Sequence, residues 1–207
     1  MIEKALTVEG WMTESELAFL YAIGSKMADG AQVVEVGSWQ GRSTVAICEA
    51  LRKKSGVLMS AVDTFQGDPH IEQLEAAKSL EEDGVYKAFC ANTAAYPFLK
   101  IVRATSLEAV GRFADGSLDW VFIDAFHEYD AVTADILAWY PKLKPGGLLS
   151  GHDYGYLGIN RALRRLFPHV CAWDTIWYTP HNGRPLKPRL VPSLEYALRR
   201  TLRGEKI

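Results

Sequence analysis

Short apolar runs alternate along this chain with longer segments in which apolar residues recur every three or four positions. Five runs have the length and β-branched content of buried strands, and they lie at 33–36, 57–62, 101–104, 118–123 and 148–151. The helical segments lie at 13–30, 43–53, 71–82, 85–91, 129–143 and 160–167, and a short helix begins at Ser106. The first of these segments begins with Thr13-Glu14-Ser15-Glu16, which has the form of a capping box. This alternation predicts a parallel sheet with helices on both faces.

The last two β-like runs, at 170–173 and 176–178, are separated only by Asp174 and Thr175. Two residues can close a hairpin but cannot form a crossover helix, so this pair must be antiparallel. The predicted fold class is therefore α/β, a doubly wound, mostly parallel seven-stranded sheet with an antiparallel C-terminal strand.

Length and composition predict one domain. A chain of 207 residues, of which 48% are hydrophobic, can bury one sizeable core. We assign residues 1–180 to this domain and residues 181–207 to a C-terminal extension with a short basic amphipathic helix, which we expect at the surface or at a subunit contact. Residues 68–96 are rich in Glu and have aromatic residues nearby, and we expect them to form a lid over the substrate.

Charge and cysteine content narrow the class of protein. The net charge of −2 gives no global attraction to nucleic acid or to an anionic membrane, so the expected partner is a small-molecule substrate, and a homo-oligomer stays open. Cys48, Cys90 and Cys171 are an odd number without C-x-x-C spacing, which predicts reduced core residues. We see no signal segment and no run of membrane-spanning length, and we therefore expect a cytoplasmic enzyme.

The strand at 33–36 leads into a glycine-marked loop that opens a helix, a frequent binding place for a charged small ligand. A dinucleotide loop needs G-x-G-x-x-G, but the bulky Trp39 stands where the second glycine belongs, and no G-K-[ST] phosphate loop is present. The pattern therefore favours a ligand without phosphate. The loop around Gly37, Ser38 and Gly41, together with the helix N-terminus, can bind a carboxylate.

Polar residues end the second and third strands, at the sheet edge where ligands of open α/β sheets bind. Asp63 lies 26 residues beyond Gly37, where a carboxylate can accept both hydroxyls of a ribose. An Asx turn that closes the strand explains Asp63 equally well. Thr105 and Ser106 can edge an adenine ring, although a plain helix N-cap is the better explanation for either residue alone.

The ends of the fourth and fifth strands carry the residues best suited to chemistry. Asp124 and Asp153 end consecutive core strands and can converge on one hard cation, most plausibly Mg²⁺. His127 follows Asp124 by three residues and can remove a proton from an acceptor there. Taken singly, Asp124 and His127 would more often cap the next helix, and His152 would be a structural donor. Their occurrence as an ordered set favours a functional site.

These motifs resemble a known family. The pattern E-x-G-x-x-x-G at 35–41 is similar to motif I of the class I S-adenosylmethionine (SAM) methyltransferases. The segments 122–129, 143–147 and 151–154 are similar to the O-methyltransferases related to catechol and caffeoyl-CoA methyltransferases, and closer still to the short bacterial enzymes grouped with macrolide-sugar O-methyltransferases. The resemblance covers roughly residues 10–180, and it implies the methyltransferase variant of the Rossmann-like fold with SAM as the cofactor.

The resemblance also implies a role for each site residue. The implied cofactor-binding residues are Glu35, Gly37, Ser38, Trp39, Gly41, Ser43, Asp63, Thr64, Thr105, Ser106, Asp124 and Ala125. Asp124 and Asp153, with His152, would hold a divalent metal, and His127 would be the general base. This chain has His152 where the sugar-modifying relatives carry a carboxylate and Tyr154 where the catechol-type relatives carry an asparagine. A histidine ligand would suit Mn²⁺ or Zn²⁺ better than Mg²⁺.

The predicted activity is transfer of a methyl group from SAM to a hydroxyl of a small polar acceptor, such as a sugar or a natural-product intermediate, assisted by a divalent metal. Three alternatives stay open. The first is a metal-independent methyltransferase in which Asp124 only orients His127 and the acceptor can be an amine. The second is a non-catalytic module that binds SAM or a nucleoside. The third, an NAD-dependent oxidoreductase, is disfavoured by Trp39, which we expect to separate cofactor from substrate.

Overall fold

The computed structural model describes residues 2–66, 83–184 and 186. Its strands are β1 (Gln32–Val36), β2 (Leu58–Asp63), β3 (Leu99–Arg103), β4 (Leu118–Ile123), β5 (Leu143–Gly151), β6 (Cys171–Trp173) and β7 (Ile176–Pro180). Its α-helices are α1 (Glu3–Leu6), α2 (Glu14–Ser25), α3 (Arg42–Leu51), α4 (Gly84–Thr93), α5 (Ser106–Ala109), α6 (Tyr129–Trp139) and α7 (Leu157–Leu166). Short 3-10 turns follow α5 at Val110–Arg112 and α6 at Tyr140–Lys142.

The seven strands form one sheet in the order β3-β2-β1-β4-β5-β7-β6. The first five strands are mutually parallel, and β7 runs antiparallel to both β5 and β6. The predicted fold class and the predicted C-terminal hairpin are therefore confirmed. The strand order reverses direction between β1 and β4, and such a reversal opens a crevice beyond the carboxyl ends of the two strands.

Helices cover both faces of the sheet, and the alternation of side chains along the strands decides which residues meet them. Val34 and Val36 of β1 belong to the apolar cluster under α6 and α7, whereas Val33 belongs to the cluster under α1, α2 and α3. Glu35 alternates with Val34 and Val36, so it points to the α3 side of the sheet. Strands buried on both faces explain the nearly continuous apolar runs in the sequence.

The first long helix begins where the sequence predicts and ends earlier. Thr13 and Glu16 form the predicted capping box at the start of α2. We predicted that the helix continues to Gly30, but α2 ends at Ser25. After Ser25 the amides of Lys26 and Met27 donate to carbonyls three residues earlier, and the chain then leaves the helix; further along, the amide of Gly30 donates to the carbonyl of Ser55 over 2.8 Å.

Two boundaries around β5 also differ from the prediction. The helix predicted over 129–143 ends at Trp139, because Pro141 cannot continue the α-helical hydrogen bonds and a 3-10 turn forms instead. The turn predicted at 145–147 lies inside β5 as an irregularity, since the pairing with β4 passes from Leu118–Leu143 directly to Trp120–Leu148. The chain therefore bulges at the glycines without leaving the strand.

Several predictions fall on other parts of the chain or need correction. The helix predicted over 71–82 and most of the segments 68–96 and 181–207 lie outside the described residues, so the lid and the C-terminal helix stay predictions. No helix in the described ranges is long and apolar enough to cross a membrane.

All three cysteines are free, but only Cys48 is a buried core residue; Cys90 is half-buried and Cys171 is exposed. The prediction of three core cysteines was wrong for Cys171, because β6 lies at the edge of the sheet, and for Cys90, which lies on α4 and is only half-buried.

Candidate active site at the carboxyl ends of the strands

A cleft of about 820 Å³ lies beyond the carboxyl ends of β1, β2, β4 and β5. Most residues that the sequence singled out line it, namely Gly37, Ser38, Trp39, Ser43, Asp63, Thr64, Thr105, Ser106, Asp124, Ala125, His127, His152 and Asp153. Glu35 and Gly41 do not belong to the lining. The cleft therefore brings together nearly all the predicted site residues at the point where the strand order reverses.

The two glycines of the first loop adopt backbone conformations that favour glycine. Gly37 has φ of +84°, and a Cβ there would overlap the main-chain carbonyl of Asp124. Gly41 has φ of +96°, and its Cβ would come within 3.2 Å of the ring of Phe89. Gly41 is the N-cap residue of α3. The loop can therefore pass tightly between β4 and α4 only with glycine at both positions.

The Asp63 carboxylate holds this loop in place. Its Oδ2 accepts hydrogen bonds from the amides of Ser38, at 2.6 Å, and Trp39, at 2.9 Å. Its Oδ1 accepts from the amide of Phe65 at 2.6 Å, which is the Asx turn that we considered as the alternative explanation. Burial raises the pKa of Asp63 although these three amides favour the ionised form. The two loop amides expected to bind a ligand carboxylate thus point to Asp63, and a ribose contact by Asp63 stays a prediction.

Glu35 lies beneath the loop. Its side chain is fully buried, and its Oε2 accepts hydrogen bonds from the hydroxyl of Ser38, at 2.9 Å, and from that of Thr44. Its other oxygen, Oε1, has no hydrogen-bond partner in the described part of the chain. Burial raises the pKa of Glu35 to about 7, against the lowering effect of the neighbouring hydroxyls. Glu35 therefore supports the loop from below, and its predicted contact with the cofactor stays a prediction.

We expect this raised pKa to make the stability of the protein depend on pH. Between pH 4.5 and about 7 the folded protein keeps a proton on Glu35 that the unfolded chain has lost. The free energy of unfolding therefore falls as pH rises through this window, by up to about 3 kcal/mol, and this contribution is constant above it. Urea unfolding of the wild type and Glu35→Gln from pH 5 to 8 should give a flatter profile for the variant. Parallel profiles would contradict the assignment.

The third strand end combines a helix cap with a buried carboxyl. Thr105 caps α5 and forms a capping box with Glu108, so the alternative explanation that we favoured for this residue is borne out. The hydroxyl of Ser106 donates to Asp135 Oδ1 at 2.5 Å and accepts from the indole N–H of Trp139 at 2.8 Å. Asp135 is buried, lines the cleft and has its pKa raised to about 6 by burial. Sequence reasoning missed Asp135, although an Asp on the apolar face of α6 was a visible signal.

The fourth and fifth strand ends bring three candidate metal ligands together. Nδ1 of His152 lies 3.4 Å from Asp124 Oδ1 and 3.3 Å from Asp153 Oδ2. One ligand atom from each residue lies within 4.8 Å of the others. Ligands about 2.1 Å from a small divalent cation are about 3 Å apart at right angles and about 4 Å apart when opposite. Two carboxylates and one imidazole at these spacings fit a divalent ion such as Mn²⁺.

His127 lies beside this group. Its Nε2 is 2.5 Å from Asp153 Oδ2, and its ring packs against that of Tyr156 with centroids 4.7 Å apart. Burial raises the pKa of Asp153, but the hydrogen bonds and charges of His127 and His152 outweigh it and hold the pKa below its usual range. The carboxylate of Asp153 thus contacts His127, whereas the metal-independent alternative assigned the orienting role to Asp124.

His152 has a second carboxylate on its far side, and sequence reasoning missed this residue. Nε2 of His152 lies 3.0 Å from Oε1 of Glu16, a carboxylate whose residue is only 2% exposed. Burial lowers the pKa of His152, but Asp124, Asp153 and Glu16 together raise it to about 12. Glu16 had been noted only as part of the capping box of α2. Three carboxylates therefore surround the ring of His152, and they favour its protonated form.

Aromatic side chains form the outer wall of the cleft. The ring of Trp39 packs against that of Trp11, with centroids 5.5 Å apart. Trp39 has φ of +47°, and its indole N–H has no hydrogen-bond partner among the residues that the structure describes. Trp11, Phe126 and Tyr156 also line the cleft and are partly exposed to solvent. The sequence did not reveal these three, because a single aromatic residue in a loop is more often a packing residue.

Comparisons with known proteins agree with this geometry. A curated relative, the uncharacterized protein y4gI of Sinorhizobium fredii (strain NBRC 101917 / NGR234), is 33% identical over 125 residues, which are 59% of this chain but only 13% of the relative. The O-methyltransferase TomG of Streptomyces achromogenes, involved in tomaymycin synthesis and solved in complex with SAM, is 11% identical with a TM-score of 0.62, and the match covers 84% of this chain and 82% of TomG.

A SAM-dependent O-methyltransferase of Thermotoga maritima is 10% identical with a TM-score of 0.59, and the match covers 90% of this chain and 72% of that protein. At such identities these two structures show a shared fold. The family model described as a methyltransferase domain matches residues 34–154, which extend from the first strand and its loop to the residue after Asp153. This match spans more than half of the sequence, and the chain therefore belongs to the methyltransferase-domain family.

Proposed function

We propose that this protein transfers a methyl group from SAM to a hydroxyl of a small polar acceptor, with His127 as the general base and a divalent metal held by Asp124, His152 and Asp153. One observation supports this proposal above the others: these four side chains meet in the cleft that also contains the loop of motif I. The acceptor class is open between a sugar and another natural-product intermediate, and the similarity to TomG is consistent with the latter.

The chemistry requires a base at this place. In methyl transfer from a sulfonium, the acceptor oxygen forms a bond to the methyl carbon as the carbon–sulfur bond breaks. The electron pair stays on sulfur, so S-adenosylhomocysteine leaves, and the hydroxyl proton must go to another group. The imidazole of His127 takes this proton, and the Asp153 carboxylate beside it stabilises the imidazolium that forms. A bound divalent metal would lower the pKa of the acceptor hydroxyl.

The cofactor is proposed to lie along the loop ends in the order of the strands. The residues proposed for the methionine end are Glu35, Gly37, Ser38, Trp39, Gly41 and Ser43. Asp63 and Thr64 are proposed for the ribose, and Thr105 and Ser106 for the adenine. Asp124 and Ala125 follow β4, on the other side of β1 from β3, and are proposed to contact the cofactor there. The first amides of α3 have no carbonyl partner within the helix, and the helix N-terminus carries a partial positive charge, which suits a methionine carboxylate. Trp39 then separates the cofactor from the acceptor.

The test of this function begins with acceptors. We expect S-adenosylhomocysteine to be released from SAM when sugars or phenols with free hydroxyls are offered, and not when matched amines are offered.

With the best acceptor, EDTA should abolish turnover, because the metal is proposed to activate the hydroxyl, and Mn²⁺ or Mg²⁺ should restore it. Calorimetry with S-adenosylhomocysteine should give the same affinity with and without EDTA, which separates loss of metal from loss of the cofactor site.

One observation favours a second candidate function. The carboxylates of Asp124, Asp153 and Glu16 surround the ring of His152 and favour its protonated form, which would place a positive charge in this centre without a metal. In a metal-independent methyltransferase, His152 would stay protonated and His127 would accept the proton of the methyl acceptor. The methyl acceptor can then also be an amine. Turnover that is unaffected by EDTA and by added Mg²⁺ or Mn²⁺ would select this alternative.

Other features of the protein stay predictions. These are the single domain over 1–180, the C-terminal extension, the cytoplasmic location, the small-molecule partner without nucleic acid or membrane, and a homo-oligomer. The chain spans 13% of the length of its curated relative, so the activity of any longer protein that contains such a domain is a separate question.

A further inference from the structure

A buried carboxylate from the N-terminal part of the chain stands behind the candidate metal centre. Oε1 of Glu16 lies 3.0 Å from Nε2 of His152, on the side of the ring opposite to Asp124 and Asp153. Glu16 belongs to α2, outside the range 34–154 that the family model matches. None of the roles proposed above for the cleft includes Glu16, and a carboxylate buried to this extent needs a physical explanation.

The contact determines which nitrogen of His152 can bind a metal. An ionised carboxylate can only accept hydrogen bonds, so Nε2 of His152 carries the hydrogen that Glu16 accepts. The other nitrogen, Nδ1, faces Asp124 Oδ1 at 3.4 Å and Asp153 Oδ2 at 3.3 Å. Glu16 therefore orients the ring so that Nδ1 lies in the space that the two other ligands share.

Glu16 is itself held in place by groups from two elements. Its Oε2 accepts hydrogen bonds from the amide of Thr13, at 2.8 Å, and from the hydroxyl of Thr13, at 3.0 Å. Its Oε1 also accepts from the hydroxyl of Thr175, in the turn between β6 and β7. Both oxygens are thus fixed, and the carboxylate cannot turn away from His152 without losing several hydrogen bonds.

We propose that Glu16 is a positioning residue for the metal centre: it holds His152 in the orientation in which Nδ1 binds the ion together with Asp124 and Asp153. A carboxylate that accepts from the second nitrogen of a ligating histidine fixes the tautomer and raises the basicity of the ring. The inference rests on the proposed metal-assisted function. It assigns a role in the centre to α2, a helix before the first strand, and it explains why a charged side chain is buried there.

The test compares Glu16→Gln with a matched control, Glu108→Gln. Both glutamates are the third residue after the threonine of a capping box, and glutamine also completes this motif, so both substitutions keep the helix caps. Only Glu16 contacts a histidine of the centre. We expect the affinity for Mn²⁺, measured by electron paramagnetic resonance of the free ion, to fall roughly 10- to 100-fold in Glu16→Gln and to stay unchanged in Glu108→Gln.

Two further measurements distinguish positioning from general structural support. The affinity for S-adenosylhomocysteine should match the wild type in both variants, and the thermal unfolding midpoint should fall in Glu16→Gln alone, because only Glu16 is a buried carboxylate that faces His152. Wild-type affinity for Mn²⁺ in Glu16→Gln would overturn the proposal and leave the proposed function intact. An equal loss of Mn²⁺ affinity, cofactor affinity and stability would also overturn it, because Glu16 would then only hold the fold. Absence of Mn²⁺ binding by the wild-type protein would remove the metal role itself, and this result is seen before any variant is compared.

Discussion

We expect His127→Ala to lower the turnover number by roughly 10²-fold or more and to leave the affinity for S-adenosylhomocysteine unchanged. The physical reason is that His127 is proposed to receive the proton of the acceptor, and His127 is not among the residues proposed to bind the cofactor. Its Nε2 is held 2.5 Å from Asp153 Oδ2, so the ring is oriented before the acceptor arrives. Alanine removes the base without placing any new group in the cleft.

The control for this variant is His169→Ala. His169 is an exposed histidine in the segment between α7 and β6, and it does not line the cleft. Its replacement should leave both turnover and cofactor affinity at wild-type values. The rate of methyl transfer is measured as the release of S-adenosylhomocysteine with the best hydroxyl acceptor. The affinity for the cofactor product is measured by calorimetry. Turnover by His127→Ala at the wild-type rate would exclude His127 from the mechanism.

Much of the fold could be predicted because its strands are buried on both faces. The run at 118–123 matches β4 to the residue, since six mostly apolar residues followed by Asp124 are typical of a central parallel strand. The two-residue connection at 174–175 likewise left the C-terminal hairpin as the only geometry. Ends of elements were less predictable. The helix α2 ends at Ser25, before the Gly30 that the pattern indicated, and Gly30 itself contacts Ser55, which is distant in sequence.

The acidic pair of the candidate site could also be predicted, for a topological reason. Asp124 and Asp153 follow neighbouring parallel strands, and the carboxyl ends of such strands meet at one edge of a sheet. Glu16 could not be found in this way, because its contact with His152 joins residues 136 positions apart. The sequence signal at Glu16 was already explained by the capping box with Thr13, so nothing in the pattern indicated a second role.

The hydrogen-bond partners of single polar side chains were the least predictable feature of the site. The spacing of Asp63 from Gly37 suggests a ribose ligand, yet the carboxylate accepts from the amides of Ser38, Trp39 and Phe65. A sequence shows that a carboxylate lies at a strand end, but the geometry of the neighbouring loop determines which donors hydrogen-bond to it. Asp63 therefore connects β2 to the loop after β1. Because this loop is proposed to bind the cofactor, a change in its conformation should change the affinity for the cofactor.

Gly37→Ala tests whether cofactor affinity depends on the conformation of this loop. Among substitutions that add a single methyl group, it is the one for which we expect the largest effect. Alanine at φ of +84° costs about 1–2 kcal/mol of strain on its own. The new Cβ would also overlap the main-chain carbonyl of Asp124, and overpacking against backbone that cannot move freely adds about 1–3 kcal/mol. Relief of this overlap must displace either the loop or the end of β4, which carries Asp124. We therefore expect the affinity for S-adenosylhomocysteine to fall at least about tenfold, together with the free energy of unfolding.

Gly146→Ala is the matched control, because it separates backbone strain from overlap. Gly146 has nearly the same φ, +83°, but no described heavy atom lies within 4 Å of the Cβ that alanine would add. This variant should lose only the strain, about 1–2 kcal/mol in urea unfolding, and keep the cofactor affinity of the wild type. Equal losses of stability in the two variants, with wild-type cofactor affinity in Gly37→Ala, would show that the loop accommodates a side chain. In that case the close approach of Gly37 to Asp124 would not be what shapes the cofactor end of the cleft.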